Sequence, residues 1–189
     1  MDHEIKTIIQ SSSKNILDLQ EIVPTIIESI ECIVECLKNG KKVVIFGNGG
    51  SAADSQHFAA ELVGRFLKER ESLAAIALTT DTSVLTALGN DYGFEFSFSR
   101  QCESLVNKDD VVIAISTSGN SKNIINAVKI CKEKKAKIIG ITGNSENDLK
   151  KESDIILKAN SSETPRIQEI HRIILHLICH FVEINFVKN

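Results

Sequence analysis

Within residues 42–65, KVVIFGNGGSAADSQHFAAELVGR, an apolar strand runs into a glycine-rich loop that opens a helix carrying His57 and Glu61, four residues apart. Gly47, Asn48, Gly49 and Gly50 let backbone N–H groups approach an anion closely, and Ser51 can both cap the helix and donate its hydroxyl. Side chains four apart share a helix face, so His57 and Glu61 project together about two turns beyond the loop. Their chemistry is that of a metal-ligand pair or an acid/base pair beside a phosphate pocket. The plainer reading is a surface pair on an amphipathic helix whose core stripe is Phe58, Ala59, Leu62 and Val63.

A second motif bears on that choice. VVIAI at 111–115 is a continuous apolar strand, and the following STSGNSK turn leads into the helix NIINAVKICKEKK. Ser116, Thr117, Ser118 and Ser121 can surround a phosphate with short donors, supplemented by the amides of a helix N-terminus. An ordinary capped turn has the same residue types, but one hydroxyl serves a cap and four exceed it.

The segment TPRIQEIHRIILHLICHFVEINF reads as one long helix, with Thr164 near its cap and Pro165 in its first turn. It carries Gln168, Glu169, His171, His176 and His180. Helical arithmetic places Glu169 and Arg172 nearly in line with His176 and rotates Gln168 away by about 80°, so geometry alone favours Glu169 as the partner of His176. A lone histidine on an apolar helix is commonly a packed core residue, and several on one helix shift the balance towards a site.

The elements that must hold these groups alternate. Two N-terminal helices (about 3–20 and 24–39) precede strands near 42–46, 73–78, 111–115, 137–142 and 154–157, separated by helices, and a last helix spans 165–187. Strands apolar on both faces indicate a three-layer α/β/α sandwich around a five-stranded parallel sheet, in a single domain over 1–189. The 24–37 helix and the last helix are apolar over wide arcs, which predicts a homo-oligomeric core that includes the N-terminal helices 3–39.

Composition suits a soluble intracellular enzyme: 189 residues, 42% hydrophobic, 25% charged, net charge −3. Neither a basic patch for nucleic acid nor an apolar run of membrane length stands out, and no leader is evident in MDHEIKTIIQ, so a cytoplasmic location is expected. The five cysteines, Cys32, Cys36, Cys102, Cys131 and Cys179, form no CxxC pair and read as reduced, mostly buried residues.

The runs GNGGSAADSQHFAAEL, ALTTDTSVLTALGNDYGFE, ISTSGNS and RIQEIHRIILH, in this order, resemble the sugar isomerase (SIS) domain family, and within it the bacterial phosphoheptose isomerases. The resemblance spans nearly the whole chain. It implies a flavodoxin-like fold, a homotetramer, and one zinc ion per subunit held by His57, Glu61, Gln168 and His176, which sets Gln168 against the wheel's preference for Glu169. It implies sugar-phosphate contacts at Gly49, Gly50, Ser51, Ser116, Thr117, Ser118 and Ser121, with Asn48, Arg65, Asp91 and Thr164 near the sugar. The implied reaction interconverts sedoheptulose 7-phosphate and D-glycero-D-manno-heptose 7-phosphate, towards the heptoses of lipopolysaccharide or capsule, with Glu61 as base and His176 as acid. Glu61 and Gln168 would then meet both metal and substrate. Some members carry Asp where this chain has Pro165.

Two other readings compete. Gly47 to Ala52 fits G-x-G-x-x-A after a strand, and Asp81 follows the next strand as a ribose-binding acid of a dinucleotide-dependent oxidoreductase would. A non-catalytic SIS relative that binds the bacterial replication initiator shares both loops but lacks counterparts of Glu61 and His176, which this chain has.

Overall fold

The computed structural model of the chain describes residues 1–187; Lys188 and Asn189, the end of the expected 1–189 domain, lie outside the described residues. Short runs of β-branched and small apolar residues form β1 (Val43–Gly47), β2 (Ala75–Ala77), β3 (Val111–Ser116), β4 (Lys137–Thr142) and β5 (Ile155–Lys158). They pair as one parallel sheet in the order β2-β1-β3-β4-β5, with Ile45 opposite Ile113 and Ile113 opposite Ile139.

Because successive strand residues point to opposite faces, each central strand feeds two cores. Val43, Ile45, Ile113, Ile115, Ile139 and Ile141 pack with Ile33 of α2 (Val23–Lys38), Phe58 and Leu62 of α3 (Gly50–Val63), and Ile174 and Ile178 of α8 (Thr164–Ile184). Val44, Phe46, Val112, Ala114 and Ile138 pack on the other side with Cys102 of α5 (Ser99–Leu105) and Ile124 and Val128 of α6 (Lys122–Glu133). The expected α/β/α sandwich is therefore present. The remaining helices are α1 (Asp2–Leu17), α4 (Thr82–Asp91) and α7 (Asp148–Glu152).

Three boundaries differ from the expectation. The first helix ends at Leu17 and passes through a 3-10 turn, Asp18–Ile22, before α2 restarts with Pro24 in its first turn. Strand β2 is three residues rather than the six expected, and at its amino end the Leu73 amide bonds the Leu62 carbonyl of α3 (3.1 Å) instead of entering the ladder. The last helix ends at Ile184.

The strand order places the site. From β1 the chain crosses to β2 on one side and returns to β3 on the other, so the loops leaving the carboxyl ends of β1 and β3 lie side by side at the reversal. Those are the glycine-rich and hydroxyl-rich loops.

Candidate active site

Gly49 sits just before α3 at φ +55°, a backbone conformation that L side chains rarely adopt, and a Cβ at Gly47 would come within 2.7 Å of the Ser51 Cβ. The tight loop that follows buries Ser51 and points the first amides of α3 past the end of the sheet. Asn48 faces Asn123 on α6, and the two amides exchange hydrogen bonds of 3.0 and 2.8 Å, fastening the glycine loop to the hydroxyl loop.

In the second loop the Ser116 hydroxyl lies 3.2 Å from that of Ser121 and accepts the Gly119 amide at 3.1 Å. Ser121 caps α6 through its backbone carbonyl, which accepts from Ile124 and Ile125, and its hydroxyl makes no cap bond. The simple cap reading therefore leaves the Ser121 hydroxyl unexplained. Ser118 accepts the Asn120 amide, and the Thr117 carbonyl accepts the Gly143 amide. Gly119, at φ +67°, lies against Asn147, whose amide tip occupies the space a side chain would need.

Helices α3 and α8 run parallel and meet at a nearly constant offset. The Gln168 amide lies against Gly50, where a Cβ would stand 2.6 Å from its Nε2. One turn on, the buried Asp54 carboxylate receives the Arg172 guanidinium at 3.0 Å from its Nε. A further turn on, His57 Nε2 and His176 Nε2 are 3.0 Å apart, and Glu61 Oε1 is 3.4 Å from the same His57 nitrogen. This rung is half open, with the His57 side chain 45% exposed and that of Glu61 21%.

Only one hydrogen fits between the two imidazole nitrogens. Either one ring donates to the other, or both turn lone pairs towards a shared cation. Among the described residues no group of three or more His, Cys, Asp and Glu is laid out to hold a metal ion. What converges is a pair of imidazoles with one carboxylate beside it, and a neutral amide, Gln168, lies two turns along the same groove. Glu169, which the helical wheel favoured, turns to Arg166 at 2.6 Å.

Three expected sugar contacts stand apart. Arg65 is exposed and lies 3.9 Å from Glu69, Asp91 at the end of α4 accepts from Asn90 at 2.8 Å, and Thr164 is exposed at the start of α8. No hydrogen bond or ion pair among the described residues joins them to the histidine cluster. Asp81, the ribose-binding acid of the dinucleotide reading, is spent as the N-cap of α4, accepting the Val84 amide at 3.0 Å. A cavity of about 790 Å³, lined by Glu31, Cys32, Lys137 and Asp154, opens at the amino ends of the strands, away from this chemistry.

Sequence reasoning missed a buried pair behind the cluster. Glu183 on α8 accepts the amides of Phe66, Leu67 and Lys68 at 2.7, 2.7 and 2.9 Å, and Arg70 Nε lies 3.5 Å from it. Burial works to raise the Glu183 pKa, but the three amides and Arg70 prevail and hold it below its usual value. Arg70 also binds the carbonyls of Glu61 and Leu62 at the end of α3, at 2.7 and 2.8 Å. The signal was one acid seven residues beyond His176, on an otherwise apolar helix face. His171 is buried with neither ring nitrogen bonded, and burial pushes its pKa down to about 4, outweighing the nearby Thr142 backbone and Asp54.

The family model for the SIS domain matches residues 9–143. The phosphoheptose isomerase of Helicobacter hepaticus is 48% identical to the chain over 183 residues, covering 97% of this chain and 91% of the relative. The chain belongs to the phosphoheptose isomerases of the SIS domain family. Phosphoheptose isomerase 1 of Campylobacter jejuni is 54% identical over 156 residues, 82% of this chain and 84% of its own. The solved phosphoheptose isomerase of Neisseria gonorrhoeae superposes with a TM-score of 0.91 at 39% identity, over 96% of this chain and 98% of the other. That of Francisella tularensis gives 0.92 at 37%, over 96% and 97%. As a phosphoheptose isomerase, the chain carries its glycine-rich and hydroxyl-rich loops side by side, joined by the Asn48–Asn123 amide pair.

Proposed function

We propose that this protein interconverts sedoheptulose 7-phosphate and D-glycero-D-manno-heptose 7-phosphate, supplying a heptose precursor for surface polysaccharide. The observation that carries the reading is the rung of His57, Glu61 and His176 beside two phosphate-type loops. The phosphate dianion is held by Ser51, Ser116, Thr117, Ser118 and Ser121, with the amides of Gly49 and Gly50 and of the α6 N-terminus. Asn48, Arg65, Asp91, Thr164 and Gln168 are assigned to the sugar hydroxyls.

With the phosphate fixed, C1 and C2 lie at the cluster. Glu61 removes a proton from C1 of the ketose, an enediol forms, and the proton is returned at C2. His176, on the other side, donates to the carbonyl oxygen as it becomes a hydroxyl and accepts from the C1 hydroxyl as that becomes the aldehyde. The exchange is redox-neutral, so no nicotinamide is needed, and the capping role of Asp81 agrees.

The donor types fit one zinc ion per subunit, with two imidazoles of His57 and His176 already paired and the oxygens of Glu61 and Gln168 on the same groove. Bound there, zinc would polarise the carbonyl and the neighbouring hydroxyl, easing loss of the C–H proton. Glu61 and His176 also argue against the replication-initiator-binding relative.

A homotetramer is part of the proposal, supported by α1, which has no buried residue and exposes Ile5, Ile8 and Ile9. Among the described residues no helix is long and apolar enough to cross a membrane, which is compatible with the proposed cytoplasmic location. Sedoheptulose 7-phosphate mixed with the zinc-loaded protein should yield an aldose phosphate. No conversion by folded, zinc-loaded protein would overturn the reading.

A further inference from the structure

The segment after α3 closes on α8 in an unusual way. Three consecutive amides, of Phe66, Leu67 and Lys68, converge on the single carboxylate of Glu183, and both the Glu183 and Arg70 side chains are buried. A buried carboxylate that accepts three backbone amides holds a loop far more firmly than exposed turns do. The loop presents one group towards the cluster. The Phe66 ring lies 5.7 Å from the His176 ring and 6.4 Å from that of His180, so His176 is bounded by Phe66 on one side and by His57, at 5.2 Å between rings, on another. Arg70 extends the same brace to the backbone carbonyl of Glu61. Helices α3 and α8 are thus tied through Arg70 and Glu183, whose side chains are buried.

We propose that Glu183 is a positioning residue: by gathering the 66–68 amides it seats Phe66 against His176 and fixes that imidazole's orientation towards His57 and Glu61. The proposal rests on the assignment of His176 as the acid. Among the described residues, none of the hydrogen bonds, ion pairs or ring contacts of Glu183 and Phe66 is to a phosphate loop, so their loss should lower turnover and leave substrate affinity in place.

The test compares Phe66→Ala, Phe66→Tyr, Glu183→Gln and the double variant Phe66→Ala/Glu183→Gln, all zinc-loaded, with sedoheptulose 7-phosphate as substrate. Misplacing a catalytic group costs roughly tenfold to a hundredfold in rate. We expect kcat to fall by about that factor in Phe66→Ala and Glu183→Gln, with KM changed less than about twofold, and to recover in Phe66→Tyr, which keeps the ring. Because both act through one contact, the double variant should be no slower than the slower single variant. In proton NMR spectra of the wild type, the His176 ring resonances should carry a ring-current shift that Phe66→Ala abolishes and Glu183→Gln reduces. Since Glu183→Gln risks misfolding, Phe66→Ala, at a half-buried site, decides alone if needed. Unchanged kcat and unchanged His176 resonances in folded Phe66→Ala would overturn the proposal. Failure of the wild type to convert the substrate would instead overturn the functional reading, and the NMR comparison would still judge the positioning role.

Discussion

His57 and His176 bring like nitrogens to 3.0 Å across two parallel helices, α3 and α8, from positions 119 residues apart in the chain. The contact is one rung of three. Gly50 against Gln168 and Asp54 against Arg172 precede it at almost the same offset, so the first residue of α3, after its glycine loop, meets α8 one turn beyond the proline at that helix's head. The site is the groove between two helices held in register.

That register makes zinc binding a prediction about His57. Removing one imidazole from a mixed nitrogen and oxygen set should weaken metal binding severely. Elemental measurement should find about one zinc per wild-type chain and a small fraction of that in His57→Ala, with activity lost on chelation and regained on zinc addition. Full activity in metal-free wild-type protein would remove the metal from the mechanism.

The hydroxyl loop predicts a binding defect. Ser116 and Ser121 face each other at 3.2 Å, and each charge-assisted bond to a phosphate is worth roughly 1.5–3 kcal/mol. Ser116→Ala/Ser121→Ala should raise KM for sedoheptulose 7-phosphate at least about a hundredfold, with a smaller change in kcat. Steady-state kinetics beside a thermal melt separates lost affinity from lost structure.

His171 predicts how stability responds to acid. In the fold its pKa is lowered to about 4 by burial, from an ordinary 6.5, so between those values the unfolded chain takes up a proton that the folded chain refuses. Stability should therefore be fully present above about pH 6.5 and decline as pH falls towards 4, at up to about 1.4 kcal/mol per pH unit from this group. Urea unfolding at pH 7 and pH 5 should show the decline, and His171→Leu should flatten it. An equal slope in the variant would assign the decline to other groups. Glu183, with its pKa lowered from 4.5, keeps its contribution above that value and loses it as pH falls below.

Much of this was legible in the sequence because strands buried on both faces announce themselves as unbroken apolar runs, and because glycine and serine clusters punctuate them. Helical arithmetic sets Gln168 apart from His176 because it treats the last helix as isolated, whereas α8 meets α3 along a line on which a residue rotated from His176 still faces Gly50 two turns earlier. Glu169, better aligned on the wheel, is drawn to Arg166, which also reaches Ser12 of α1. The Glu183 clasp was hidden because its partners are backbone amides, which every residue but proline has and which leave no trace in residue type. Among the described residues, Arg65, Asp91 and Thr164 make no hydrogen bond or ion pair with the histidine cluster.

Proton transfer by Glu61 is the centre of the proposed mechanism, and Glu61→Gln tests it most directly, since the amide keeps size and hydrogen bonding but cannot accept a proton. Sedoheptulose 7-phosphate turned over in D₂O should give product carrying deuterium at C2 with the wild type, as the base exchanges its proton with solvent. In Glu61→Gln shown by elemental measurement to retain zinc, the expected result is neither exchange nor product above background, a fall in kcat of at least about 10²–10⁴. A zinc-bearing Glu61→Gln that isomerises near the wild-type rate would contradict the mechanism and place the base on another residue.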